Sequence, residues 1–246
     1  MSLGSFIKAE RVADEGIYLK EERHKNPKER FKQIVSRLSP FICAIDSVLD
    51  VGCATGEFIY YLKSVNPVLS CTGIDVSKPM AARAKEILPD CDFFCKDILT
   101  QSHDMKAQYD LVTCMGVLQI FDNIEGPVQN LLRCVKQGGK LILEGVFNSH
   151  PVDVITRYRR VTGSDNPWEL GWNIYSKQTY EKILKNSAYD LSYSWIPFTL
   201  PFDVLEGEDP MRTWTIKTQA NPHQLVNGAS LLIDLYSLEI TVNRSR

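Results

Sequence analysis

The 246-residue chain reads as an α/β protein built on a doubly wound sheet, and three observations support that fold class. The first is the stretch Val48–Phe58. There an apolar, strand-like run closes at Asp50-Val51, a loop of small residues follows, and Phe58 to Leu62 continue as helix. The second is the recurrence of strand-like runs at Leu69–Ile74, Cys91–Cys95, Tyr109–Met115 and Lys140–Val146, separated by segments with helical spacing. The third is an acidic side chain at the carboxyl end of these runs, Asp75 after the second and Asp97 just beyond the third. Open α/β sheets bind their ligands at that end.

Ahead of the first strand, residues 17–40 carry an amphipathic pattern. Phe31, Ile34, Val35 and Leu38 share one face, and Pro27 suits the first helical turn. Lys20, Arg23, Lys25, Lys28, Arg30 and Lys32 outnumber Glu21, Glu22 and Glu29. Two readings follow: a solvated basic face, or a helical cap over the ligand, residues 1–44, with Tyr18 and Arg30 reaching inward. The formal net charge of −2 argues against a nucleic-acid-binding surface spread over the molecule. Seven cysteines, odd in number and without zinc-ligand spacing, are expected to be reduced thiols in a cytoplasmic protein with no metal. The opening MSLGSFIKAE lacks a secretion signal's apolar core, and no run reaches membrane-spanning length.

In the loop after the first strand, Gly52, Ala54 and Gly56 recur at alternate positions, with Cys53 between the first two. A bend without bulky side chains lets a ligand approach main-chain N–H groups at a helix N-terminus. A dinucleotide fingerprint would need glycine or alanine where Glu57 stands, and no Gly-Lys-Ser/Thr follows to cradle phosphate. Asp75 lies 19 residues beyond Gly56, where a carboxylate can accept both ribose hydroxyls of a nucleoside. It also suits the cap of the helix beginning around Lys78-Pro79-Met80.

Asp50 followed by Gly52, Ala54 and Gly56 resembles motif I of the class I S-adenosylmethionine-dependent methyltransferases, with alanine for the middle glycine. Tyr109–Met115 and the following Gly116-Val117-Leu118-Gln119 are similar to that family's motif IV, and Gly138-Gly139 before the fifth strand matches its next landmark. The resemblance implies a Rossmann-like, seven-stranded, mostly parallel sheet with an antiparallel last strand. It implies S-adenosylmethionine as cofactor and S-adenosylhomocysteine as product. It further implies a contact from Asp97 to the adenine amino group, apolar walls from Val76, Met80 and Ile98, and a place for Met115 beside the reactive sulfonium. Many relatives carry histidine at the position of Ile120, so one polar contact of the family is missing. A single domain, 1–246, then divides into the cap, a cofactor-binding core at 45–147 and two insertions at 148–175 and 197–230.

About thirty residues separate the fifth strand from Ser176, a length that is often functional. Val152–Arg160 reads as a short helix and Asn166–Tyr175 as an aromatic loop bordering the active site. A helix, Lys177 to Asn186, and a strand, Leu191 to Ile196, follow. Residues 197–230 hold four prolines with Phe198, Phe202 and Trp214, and Met211–Thr218 alternate like a strand. The last strand is expected over Leu232–Val242. The aromatic insertions suit a lid that excludes water from methyl transfer, or a homodimer interface. A hydroxyl acceptor needs a base, for which His150 is the first candidate and His223 and Asp122 are the next. The Asn/Asp-Pro-Pro-aromatic motif of amino-methylating DNA and glutamine enzymes and the Pro-Cys nucleophile of cytosine carbon methylation are absent, which favours a small-molecule acceptor at oxygen or nitrogen. The segments Pro210–Thr215 and Asn227–Leu232 weakly resemble bacterial enzymes of glycan or natural-product biosynthesis. Alternatives are an RNA or protein methyltransferase docking through basic residues 20–37 and 157–160, and a catalytically silent S-adenosylmethionine-binding protein. A nicotinamide dehydrogenase is disfavoured by Glu57.

Overall fold

The computed structural model describes residues 16, 18–20, 23–100, 105–161 and 167–243. Residues 1–15 of the expected cap, together with Glu21, Glu22 and Asn166, lie outside the described residues. Helix α1 spans Glu29–Ile42 and buries Phe31, Ile34, Val35, Leu38 and Ile42, the face read from the sequence. It begins two residues later than Pro27 suggests, with Lys28 at its N-cap.

The parallel core alternates strand and helix: β1 Ser47–Val51, α2 Glu57–Val65, β2 Ser70–Asp75, α3 Lys78–Ile87, β3 Asp92–Cys95, β4 Tyr109–Met115, α4 Glu125–Cys134 and β5 Val135–Asn148. The second half continues with β6 Arg157–Tyr158, β7 Glu169–Leu170, β8 Tyr175–Ser176, α5 Lys177–Lys185, β9 Leu191–Phe198, β10 Trp214–Ile216, β11 Gln224–Val226, β12 Leu232–Ile233 and β13 Leu235–Val242. In the main sheet the strand order is β3-β2-β1-β4-β5-β13-β9, with β8 paired to the end of β5. β13 runs antiparallel to both β5 and β9. The sheet is thus the mostly parallel, seven-stranded one expected, with the antiparallel strand inserted between two others.

Period-two alternation sorts the strands' side chains onto two cores. Leu49, Val51, Leu141 and Leu143 face α4 and α5. Val48, Leu111 and Ile142 face α1 and α2. Asp50 and Glu144 fall on the second face, so two carboxylates are buried at strand ends beneath α1.

Three local expectations are corrected. Val152–Arg160 is not a helix: Val154 bridges Ile174, and Arg157–Tyr158 pair with Glu169–Leu170 as a short hairpin. β-branched Val152, Val154, Ile155 and Thr156 favour extended backbone, and Asp153 is occupied in accepting from Ser176 N and Thr179 Oγ1 at the start of α5. The fifth strand begins before Lys140, because β5 runs through Lys136–Gly139 and a register shift between Tyr109 and Leu111 absorbs the irregularity. The last strand is split at Asp234. Its first two residues join β11 in a separate three-stranded sheet with β10, and the rest joins the main sheet.

Candidate functional site

β1 lies between β2 and β4, so the winding reverses there and a crevice opens at the carboxyl ends of β1 and β4. The loop after β1 is shaped for it. Gly52 has φ +73°, and a Cβ on it would stand 2.1 Å from Val117 Cγ2, so a side chain here meets the loop after β4. Gly116 ends β4 at φ +71° with open space where its Cβ would be. Ala54 holds φ 47°, a left-handed value rare for a residue with a Cβ. Its N–H donates to Asp75 Oδ2 at 2.9 Å, while Ser77 N–H donates to Oδ1 at 2.9 Å. Asp75 therefore ties the loop to the end of β2, and Ser77, accepting from Met80 N, is the cap of α3.

Asp50 is buried, and Thr113 Oγ1 donates to its Oδ1 at 2.7 Å. Burial pushes its pKa up to about 7 against that hydrogen bond, with Asp75 and Glu57 adding to the rise. Burial, then Asp50 and Asp75, likewise hold the Cys53 thiol protonated.

The N-terminal segment closes over this end of the sheet. His24 Nε2 lies 3.0 Å from the Thr55 carbonyl oxygen, Lys28 Nζ 3.0 Å from Glu57 Oε2, and Arg30 Nη1 2.9 Å from Glu144 Oε2. Lys28 also stands over the Tyr18 ring, 4.9 Å from its centroid. The start of α1 thus bridges the start of α2 and the end of β5. Burial, followed by repulsion from Arg30, lowers the Lys28 pKa, and Glu57 opposes the fall.

These groups fit a cationic cofactor. Thr55 Oγ1, Glu57 Oε1, Gln119 Oε1 and Glu144 Oε1 are buried without a hydrogen-bond partner among the described residues. Three of the four are acceptors only. Asp50, Glu57, Asp75 and Glu144 outnumber Lys28 and Arg30, so the cleft favours a ligand bearing ammonium and sulfonium charge.

Beyond β2, Lys96 N–H donates to Asp75 O at 3.0 Å, bringing Asp97 next to the end of that strand. Asp97 Oδ1 accepts from Leu99 N–H at 2.8 Å. Val76 is 68% exposed just beyond β2, Met80 is buried on α3, and Ile98 is packed in the core near α4. Met115 is half-buried at the end of β4. His150 is exposed just beyond β5, its backbone N–H donating to Asn148 Oδ1. Asp122 is ion-paired with Arg157 and accepts from Asn173 Nδ2 at 3.0 Å, and Arg157 holds its carboxyl below the usual range. His223 Nδ1 lies 2.9 Å from Asp203 Oδ1.

Glu144, Thr55 and Gln119 are not apparent as site residues from the sequence reading. A lone acid inside the apolar run Leu141-Ile142-Leu143-Glu144-Gly145-Val146 is the signal that marks the first of them.

The chain matches the family model described as a methyltransferase domain over residues 20–192. It is 26% identical over 166 residues to putative methyltransferase 235L of Invertebrate iridescent virus 6, covering 63% of this chain and 62% of that protein. It is 23% identical over 152 residues to the malonyl-[acyl-carrier protein] O-methyltransferase of Bacillus anthracis, covering 60% of this chain and 56% of that one. The matches thus take in about three fifths of these curated relatives. In fold it is similar to the N-methyltransferase NodS from Bradyrhizobium japonicum, crystallised with S-adenosylhomocysteine. The TM-score is 0.57 at 16% identity, over 94% of this chain and 97% of that one. With the cleft described and the family model matched over more than half of its length, the chain belongs to the methyltransferase domain family of class I S-adenosylmethionine-dependent enzymes.

Proposed function

We propose that the chain transfers a methyl group from S-adenosylmethionine to an oxygen or nitrogen of a small molecule, in the cytoplasm, with the two insertions acting as a lid. The observation that carries this reading is the attachment of the first insertion beside the end of β4. Asn173 of that insertion is buried, donating to Phe121 O at 2.8 Å and to Asp122, so the first insertion is fastened to the loop that follows β4. The cofactor brings a methyl already activated on sulfur. The chain's part is alignment of an acceptor and exclusion of water. Relatives named as O-methyltransferases support an oxygen acceptor.

Docking of RNA through the basic stretches finds less support. Lys28, Arg30 and Lys32 are paired with Glu57, Glu144 and Glu29, and Arg157 and Arg160 with Asp122 and Asp209. Since Asp122 and His223 are engaged by Arg157 and Asp203, His150 is the proposed proton acceptor for a hydroxyl substrate.

The test is label transfer from methyl-labelled S-adenosylmethionine across a panel of hydroxylated and amine metabolites. At least one hydroxylated member is expected to be labelled, with His150→Ala lowering kcat tenfold or more and leaving the KM for the cofactor unchanged. Labelling of RNA or protein with none of the metabolites would contradict the reading.

A further inference from the structure

Between the β6–β7 hairpin and the β10–β11–β12 sheet lies a cavity of about 80 Å³ that no step above uses. Its base is Val146, two residues beyond Glu144 on β5 and therefore on the same face of the sheet. Alternate residues of a strand are ~6–7 Å apart, so the cavity begins about one side chain beyond the carboxylate that anchors α1. Trp172, Ile174 and Ile233 supply apolar walls.

Its lining carries two guanidiniums, Arg160 and Arg212, against two carboxylates, Glu169 and Asp209, and the pairing among them is uneven. Arg160 Nη2 lies 3.0 Å from Asp209 Oδ1 and its Nε 3.9 Å from Glu169 Oε1, while Tyr158 Oη donates to Glu169 Oε2 at 2.9 Å. Both acids of the lining are thereby engaged, and Arg160 ties the two insertions together. Arg212 lines the same cavity and makes no ion pair among the described residues. Thr156 also lines the cavity, and its Oγ1 is buried without a hydrogen-bond partner among the described residues. A guanidinium and a hydroxyl donor beside apolar walls match an oxyanion carried on an organic body. A space of this size holds several waters, enough for an anionic head and a short stem.

We infer that the acceptor carries a carboxylate or phosphate group, and that Arg212 and Thr156 hold this group in the lid cavity. The inference rests on the methyl-transfer reading and names the acceptor's chemical class. Arg212 is a specificity-determining residue in this account, since it grips a group remote from the methyl.

The test is calorimetric titration of the full chain, saturated with S-adenosylhomocysteine, with two matched probe pairs: benzoate against benzamide, and phenyl phosphate against phenol. At least one anion is expected to bind tenfold or more tightly than its neutral partner, and the pair that does so identifies the anionic group. Arg212→Gln is expected to abolish that preference, and Thr156→Val to reduce it, with S-adenosylhomocysteine affinity unchanged in both. Equal binding of neutral and anionic partners, survival of the preference in Arg212→Gln, or no anion binding up to millimolar concentration would overturn the inference. Loss of S-adenosylhomocysteine binding by the unaltered chain would instead overturn the methyl-transfer reading, and the first step of the titration reads it separately.

Discussion

Asp50 ends its strand with a carboxyl that titrates near pH 7 because burial outweighs the Thr113 hydrogen bond. Two consequences follow from the direction of that shift. A carboxyl whose folded pKa is raised binds more protons in the folded state between pH 4 and 7. Its burial cost is therefore small below pH 4, grows through that window and is fully present above pH 7. Asp50→Asn is expected to stabilise the cofactor-free protein by about 1–3 kcal/mol at pH 8 relative to pH 5, read from chemical denaturation. A cationic cofactor favours the ionised carboxyl, so the affinity of the unaltered chain for S-adenosylmethionine is expected to rise about tenfold from pH 6 to pH 8. Asp50→Asn should flatten that rise; an unchanged slope would show that another group governs it. At this scale Asp50, Gly52, Ala54 and Asp75 are legible in the sequence because small residues and acids at a strand end have few other uses there. Glu144 is less so, since its partner Arg30 stands 114 residues away.

Among elements, α1 carries the clearest energetic statement. Its apolar stripe packs on α2, and its first turn is fixed by Lys28 to Glu57 and Arg30 to Glu144. The Glu144 side chain is 1% exposed, so removing its partner leaves a charge buried alone. Arg30→Ala is expected to cost about 2–4 kcal/mol of folding free energy. Adding Glu144→Gln should restore most of the loss, because the uncompensated charge is then gone. A double variant as unstable as the single one would mean that Arg30 acts through packing alone. The strands and helices from β1 to β5 are legible because each is long enough to show its period. In the insertions, β6, β7 and β12 are two residues long, too short for any periodicity to register. Their pairing depends on partners such as Val154 with Ile174, a contact that no local pattern encodes.

Over the whole molecule, one sheet carries two kinds of information. Its carboxyl edge at β1, β2 and β4 forms the cleft proposed for the cofactor, with residues spaced along the first half of the chain in the order in which the strands are laid down. Its other half, β5, β13 and β9, supports the two insertions, 148–175 and 197–230, which meet at Arg160 and Asp209. The first half is written locally and can be read from composition and spacing. The second is assembled from distant pieces, so its aromatic and proline content marks a functional surface without revealing its shape. The acceptor site proposed above belongs to that second half.

The cofactor cleft is tested most directly by calorimetric titration of the unaltered chain and of Asp75→Ala with S-adenosylmethionine and with NAD. The account predicts a single S-adenosylmethionine site in the unaltered chain, no binding of NAD, and at least tenfold weaker S-adenosylmethionine binding once Asp75 no longer holds Ala54 N–H and the nucleoside end of the cleft. Binding of NAD in place of S-adenosylmethionine, or equal S-adenosylmethionine affinity in the two proteins, would contradict it.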